Sequence, residues 1–352
     1  MTRPLRWKLA DLVNVPKAGV NVMSTFSCGG GSSMGYKLAG FDVIIANDID
    51  PVMARHYQAN LHPKHYLLCP IKDLLTSDLP QEAFGIDILD GSPPCSTFSL
   101  AGKREKDWGV EKHFREGQAK QVLDDLFFDF LDVAERIKPK IIVAENVKGM
   151  ISGNAKGYVR AVLKRLEELE YDAQLFLING ADCELPQRRE RVFFVAIQKV
   201  FNAPKLMLNP KHPWISIKTA LSAVENSDDD LAKAMCTGPM QIDYWMNTQA
   251  GKSFAHRAKI EAGDSRFFSH IKCNPNIPAP TLPATWHMLY HWDVCRCLTV
   301  PEMKVLSSFP DDWEAESKDL AGYMMGMSVP PYMTATVADA IREQWVPLIR
   351  QR

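Results

Sequence analysis

Short apolar runs alternate with stretches of helical periodicity through the first half of the chain. Residues 20–26, 41–46, 86–89, 140–144, 174–178 and 191–197 are runs bounded by turn formers, which predicts strands. Between them, Val122, Leu126, Phe127, Phe130, Val133 and Ile137 recur at the spacing of one helix face, and Pro139 marks where that helix ends. Val159, Val162, Leu163, Leu166 and Leu169 form a second stripe. Both stripes read as faces packed on a sheet. Alternation of this kind predicts an α/β fold with a doubly wound, mixed but mostly parallel sheet and crossover helices.

After Ile197 the alternation stops. Residues 202–299 mix Pro, Gly, His and Trp with an acidic run, Asp228-Asp229-Asp230, and this predicts a smaller, irregular second domain. Regularity returns over 300–309 and again over 329–345, where Pro330-Pro331 precedes Met333, Val337, Ala340 and Ile341 in the pattern of a closing helix. The expected partition is 1–200 with 315–352 for the sheet domain and 201–314 for the irregular one. No internal repeat is present.

Composition narrows the class. The 352 residues are 46% hydrophobic and 24% charged, as in soluble globular proteins. No run reaches the length of a membrane span, and Met1-Thr2-Arg3-Pro4-Leu5 lacks the apolar core of a signal peptide, so a cytoplasmic protein is expected. The eight cysteines show no paired spacing, which argues against a disulfide framework; Cys295-Arg296-Cys297 is a solitary close pair, so no metal site is expected. A net charge of −1 provides no general attraction to nucleic acid. Any such binding needs basic groups gathered on one face. The candidates are Lys103, Arg104, Lys106, Lys112 and Arg115, then Lys252, Arg257, Lys259, Arg266 and Lys272.

Five places carry chemistry. Phe26-Ser27-Cys28-Gly29-Gly30-Gly31 follows the first strand and opens a helix, the usual seat of a nucleotide-like cofactor in such a sheet. Asp48, at the end of the second run, suits a carboxylate gripping ribose hydroxyls. These two features fit a nicotinamide dinucleotide and S-adenosylmethionine equally. Ser92-Pro93-Pro94-Cys95 places a thiol after an apolar run, where a strand end offers activation to a nucleophile. Glu145, at the end of Ile141-Ile142-Val143-Ala144, needs a partner if buried. Gln187-Arg188-Arg189-Glu190-Arg191 is a cationic cluster ahead of the last run.

In this order, the motifs resemble those of the DNA (cytosine-5) methyltransferases over most of the chain. The Phe26 turn resembles the cofactor motif, Pro94-Cys95 the nucleophile motif, Glu145-Asn146-Val147 the acidic motif and Gln187 to Arg191 the paired-arginine motif. Arg296-Cys297-Leu298-Thr299-Val300-Pro301-Glu302 and Gly326-Met327-Ser328-Val329 resemble the two that follow the target-recognition region. Three positions depart from the pattern. Cys28 replaces a glycine, Pro70 replaces an aspartate for which Asp73 is the nearest substitute, and Met327 replaces an asparagine.

The resemblance implies a class I, Rossmann-like methyltransferase that transfers a methyl group from S-adenosyl-L-methionine to a flipped cytosine in duplex DNA. It implies that Cys95 attacks carbon 6 of the ring, Glu145 engages ring nitrogen 3 and the exocyclic amine, and Arg191 holds the carbonyl oxygen, with Arg189 in support. The implied cofactor contacts are Phe26, Ser27, Gly30, Gly31, Asp48, Ile49, Ile71, Pro94, Leu126, Ser328 and Val329. Ser99, Lys103, Arg104, Gln187, Thr281 and Leu282 are the implied DNA contacts, with residues 96–121 as a closing loop. Double-stranded DNA is the implied partner, a cognate restriction endonuclease is a further one, and a monomer is expected. Three other readings stay open at this point: an RNA methyltransferase on the same scaffold, a non-catalytic relative, and a nicotinamide-dependent dehydrogenase.

Overall fold

The computed structural model describes residues 2–94, 126–152, 155–255, 267 and 269–351, together with the strand backbone of 111–112 and 121–122. Seven strands form the main sheet: β1 (Asn21–Thr25), β2 (Asp42–Asp48), β3 (His65–Leu68), β4 (Ile88–Gly91), β5 (Ile141–Val147), β6 (Tyr171–Asn179) and β7 (Glu190–Gln198). Their spatial order is β3-β2-β1-β4-β5-β7-β6. Neighbours from β3 to β5 pair in parallel, whereas β7 runs antiparallel to both β5 and β6. The expected mixed, mostly parallel sheet is what forms.

Local chemistry sets the helices of this sheet. Helix α1 (Gly31–Leu38) leaves the glycine-rich turn directly. Helix α2 (Pro51–Leu61) starts at Asp50, whose side chain accepts from the N–H groups of Val52 and Met53, with Pro51 in the first position where its missing N–H costs nothing. Helices α3 (Leu126–Ile137) and α4 (Lys156–Glu168) carry the two predicted stripes. Phe127, Phe130, Val133 and Ile137 of α3 and Val159, Val162 and Leu166 of α4 join Met23, Leu89, Ile142 and Phe194 in one buried cluster.

Two expectations change at the edges. Val122 belongs to a short two-stranded ladder with 111–112, so α3 begins at Leu126. Strand β3 was not anticipated, because His65-Tyr66-Leu67-Leu68 is a half-buried edge strand without a continuous apolar run.

The chain divides into two compact units. One comprises residues 12–179, 190–210 and 333–352 and contains the sheet; the other comprises 1–11, 180–189 and 211–332. Relative to the expected partition, 1–11, 180–189 and 315–332 belong with the irregular region, and 201–210 belong with the sheet. In the irregular unit, Cys236, Tyr244, Trp245, Phe254, Tyr290 and Cys297 make a small core of its own. Among the described residues no helix is long and apolar enough to cross a membrane.

Strand β4 ends on Gly91 because nothing larger fits. A Cβ there would lie 2.5 Å from Cε2 of Phe130 and 2.6 Å from Oγ1 of Thr25. Overpacking of this sort costs roughly 1–3 kcal/mol. Gly91→Ala should therefore lower the unfolding free energy by about that amount, measured by denaturant titration.

Candidate active site

The glycine-rich turn sits at the carboxyl end of β1, between β1 and β2. Phe26 and Cys28 hold left-handed backbone, at φ 52° and 44°, and Gly30 follows at φ 83°. Cys28 thus occupies a conformation that glycine adopts without penalty, which explains why a glycine is usual there. Its N–H donates to Oδ2 of Asp48 at 2.8 Å, while Oδ1 of Asp48 accepts from the N–H of Asp50 at 2.9 Å. Removal from water raises the Asp48 pKa above 3.8, and these N–H groups act in the opposite direction. Each carboxylate oxygen keeps a second lone pair.

The turn fits a bound S-adenosylmethionine by its own geometry. No side chain caps the start of α1, which leaves its first-turn N–H groups open to an anionic group. Asp48 and Ile49 are half-buried at the end of β2. Ile71 and Leu126 are buried in the main cluster, and Pro94 is half-buried after β4.

Next to the turn lies a carboxylate that sequence reasoning passed over. Asp90 is only 3% exposed, opposite Ser24 of β1 and Val143 of β5 in the parallel ladders. Oδ2 accepts from Ser24 Oγ at 3.0 Å and from Ser32 Oγ at 2.8 Å, and Oδ1 accepts from Tyr36 Oη at 3.1 Å. Burial is the chief reason its pKa rises from 3.8 to about 6; the three hydroxyls oppose the rise and the charge of Glu145 adds to it. The signal that singled out Glu145, an acid ending an apolar run, applies equally to Asp90.

The acidic motif extends β5 to its carboxyl end and does two things there. Asn146 donates from Nδ2 to the carbonyl of Pro93 at 3.0 Å, fixing the segment that leads into Cys95. Glu145 meets Arg191 of β7, Nε to Oε1 at 2.9 Å, with side-chain exposures of 10% and 15%. The antiparallel register explains the meeting. Arg191 lies opposite Val147 and Phe193 opposite Glu145, so Arg191 and Glu145 are diagonal neighbours on one face. Desolvation pulls the Arg191 pKa below its ordinary value and Glu145 pulls it back.

In the irregular unit, several expected contacts take other partners. Gln187 is fully buried; its amide donates to the Leu306 carbonyl at 2.9 Å and accepts from the Leu282 N–H at 3.1 Å. Leu282 is buried as well. Both were expected to touch DNA, and neither lies on a surface: their polar groups are spent holding the 281–282 segment. Arg189, expected in support of the site, donates to the carbonyls of Leu282, Gly326 and Ser328, at 3.2, 2.8 and 3.0 Å. It is a tie between segments. Thr281 is exposed and donates to the Arg188 carbonyl at 2.8 Å. Ser328 and Val329 are buried. The spacing in Arg296 to Glu302 has a similar explanation: Glu302 takes a bidentate ion pair from Arg296, at 2.7 and 2.8 Å, and closes a capping box with Thr299.

Cys95, Ser99, Lys103 and Arg104 lie outside the described residues, as does most of the expected closing loop.

A sheet in the order β3-β2-β1-β4-β5-β7-β6, with β7 reversed, is a doubly wound, Rossmann-like α/β fold. The chain belongs to the family of C-5 cytosine-specific DNA methylases, which it matches over residues 20–343. It is 28% identical over 342 residues to the Type II methyltransferase M.NgoPII of Neisseria gonorrhoeae, covering 92% of this chain and 96% of that one. M.FnuDI of Fusobacterium nucleatum, also a Type II methyltransferase, is 26% identical, with 92% and 94% covered. Among solved structures, a DNA modification methyltransferase encoded within an E. coli prophage shares the fold at a TM-score of 0.70 and 19% identity, covering 93% of this chain and 99% of that one. A Spodoptera frugiperda DNMT2 does so at 0.64 and 16%, covering 92% and 99%. The protein is a DNA (cytosine-5) methyltransferase, and its cofactor is S-adenosyl-L-methionine. The dehydrogenase reading falls with that membership.

Two measurements test this geometry. Arg191→Met should destabilise the fold by about 3–5 kcal/mol by removing the guanidinium that pairs with buried Glu145. Adding Glu145→Gln should recover part of that loss, and a double-mutant cycle by denaturant titration measures the coupling. For Asp90, a folded-state pKa above the unfolded one means the fold favours the protonated acid. The charge therefore costs nothing well below pH 4, and its cost grows between pH 4 and 6 until it is complete above 6. Asp90→Asn should gain on the wild type by on the order of 3 kcal/mol between pH 4 and 7, whatever constant offset the new amide introduces. Glu145, Tyr36 and Tyr57 are the other titratable groups coupled to Asp90, so the same pH series on Glu145→Gln separates their share.

Proposed function

We propose that the protein binds a specific duplex sequence, turns one cytosine out of the stack and methylates its carbon 5 through a transient bond from Cys95. The observation that carries this reading is the buried Glu145–Arg191 pair, one residue from an asparagine that holds Pro93. Cytosine is a poor electrophile, so attack at carbon 6 needs the ring's developing charge dispersed. Glu145 engages ring nitrogen 3 and the amine, and Arg191 holds both the carboxylate and the ring carbonyl. Asn146, through the Pro93 carbonyl, fixes the backbone from which the Cys95 thiol is presented.

The turn residues Phe26, Ser27, Gly30 and Gly31, with Asp48 and Ile49, hold S-adenosylmethionine in this reading. Bound there, it supplies an electrophilic methyl group to the activated ring. Asp48 accepts from the ribose hydroxyls, and the uncapped start of α1 receives the amino-acid carboxylate. Loss of the carbon 5 proton to a base or water, together with departure of the Cys95 thiolate, restores the aromatic ring. The irregular region within 211–314 reads the bases, with Thr281 exposed in it. The named relatives are Type II methyltransferases, which supports service beside a cognate restriction endonuclease.

Cys95→Ser should abolish methylation while DNA binding persists, and oligonucleotides carrying 5-fluorocytosine should trap the wild type, but not the variant, as an adduct that survives denaturant. Active enzyme that forms no such adduct excludes the covalent route. Glu145→Gln should slow methylation about hundredfold or more, and bisulfite sequencing of DNA from expressing cells reports the modified sequence.

A further inference from the structure

Asp90 is a buried carboxylate answered by neutral donors. Ser24, Ser32 and Tyr36 give it three hydroxyl hydrogen bonds, and among the described residues no Lys, Arg or His nitrogen lies within 4.0 Å of it. The charged group that bears on it is Glu145, of the same sign. The fold gains nothing from the charge, since an asparagine has the same shape and can join the same hydroxyls. A charge maintained at a cost to stability points to a task.

Position indicates the task. Ser24 precedes the glycine-rich turn and Ser32 follows it, so both ends of residues 26–31 are clamped on one carboxylate. A cofactor seated at that turn lies within the field of Asp90. S-adenosylmethionine carries a sulfonium, and loss of its methyl group leaves an uncharged thioether. The two molecules otherwise share every atom that could touch the turn. A fixed negative charge stabilises the first and is indifferent to the second.

We propose that Asp90 is a specificity-determining residue whose carboxylate favours the cationic methyl donor over its neutral product, S-adenosylhomocysteine. Asp90 acts at a distance, through its field, and needs no direct contact. The inference rests on the placement of the cofactor at the 26–31 turn.

Titration calorimetry at pH 8 with the full chain, using S-adenosylmethionine and S-adenosylhomocysteine in turn, reads the effect without any turnover. Asp90→Asn should lower the ratio of donor to product affinity about tenfold, the scale of one charge acting across several ångströms of partly wet protein. Asp90→Ser, which keeps a hydroxyl in the network, should behave alike and stands in should the asparagine variant fail to fold. Asp90→Glu retains the charge and should keep the wild-type ratio to within about twofold, even where both affinities move together. Equal weakening of both ligands by the neutral variants would reduce Asp90 to a structural part and overturn the proposal. Asp48→Ala marks the other failure separately: it should weaken both ligands by a similar factor, since both carry the ribose, and no change in either would displace the cofactor from this turn.

Discussion

A guanidinium and a carboxylate, both largely withdrawn from water, meet across the ladder of β5 and β7, and the site is arranged around that meeting. Neither group is tolerable there alone. The reversed direction of β7 brings them together, because antiparallel register sets Arg191 diagonally across from Glu145. In the same strand, one position on, Asn146 reaches over to the Pro93 carbonyl. Three adjacent strands thereby hold an acid, a base-shaped cation and the approach to a thiol in one frame, with rigidity supplied by sheet hydrogen bonds rather than by loops.

Much of this was legible beforehand, for identifiable reasons. Strands buried on both faces read as continuous apolar runs, so β1, β2, β4, β5 and the antiparallel β7 stood out. Functional residues close such runs, which made Asp48 and Glu145 visible. An edge strand such as β3 gives no such signal. Motif resemblance names residues without saying which way they face: Gln187 and Leu282 were expected to touch DNA yet are wholly buried, and Arg189 spends its guanidinium on three carbonyls. Asp90 escaped notice for the opposite reason. It closes an apolar run as Glu145 does but belongs to no motif, and its hydroxyl neighbours, brought from β1 and α1, set it apart.

The two units also differ in how they keep polar groups satisfied. Around the sheet, carboxylates end strands and are answered by backbone N–H groups or hydroxyls, as at Asp48 and Asp90. In the irregular unit, guanidinium and amide side chains replace the missing ladders. Arg296 with Glu302, Gln187 with Leu282 and Leu306, and Arg189 with its carbonyls each pin segments that have at most a two-residue ladder to hold them. Buried polar ties of that sort favour one arrangement strongly, because a broken one leaves an unanswered group in a dry place.

Cys28 shows how such a framework can drift. Its left-handed backbone costs an L-residue roughly 1–2 kcal/mol. Yet a side chain also restrains the unfolded chain more than glycine does, a gain of about 0.4–1 kcal/mol where the geometry is tolerated. The two terms nearly cancel, so a lineage can exchange a glycine for a thiol at this bend with little selective consequence.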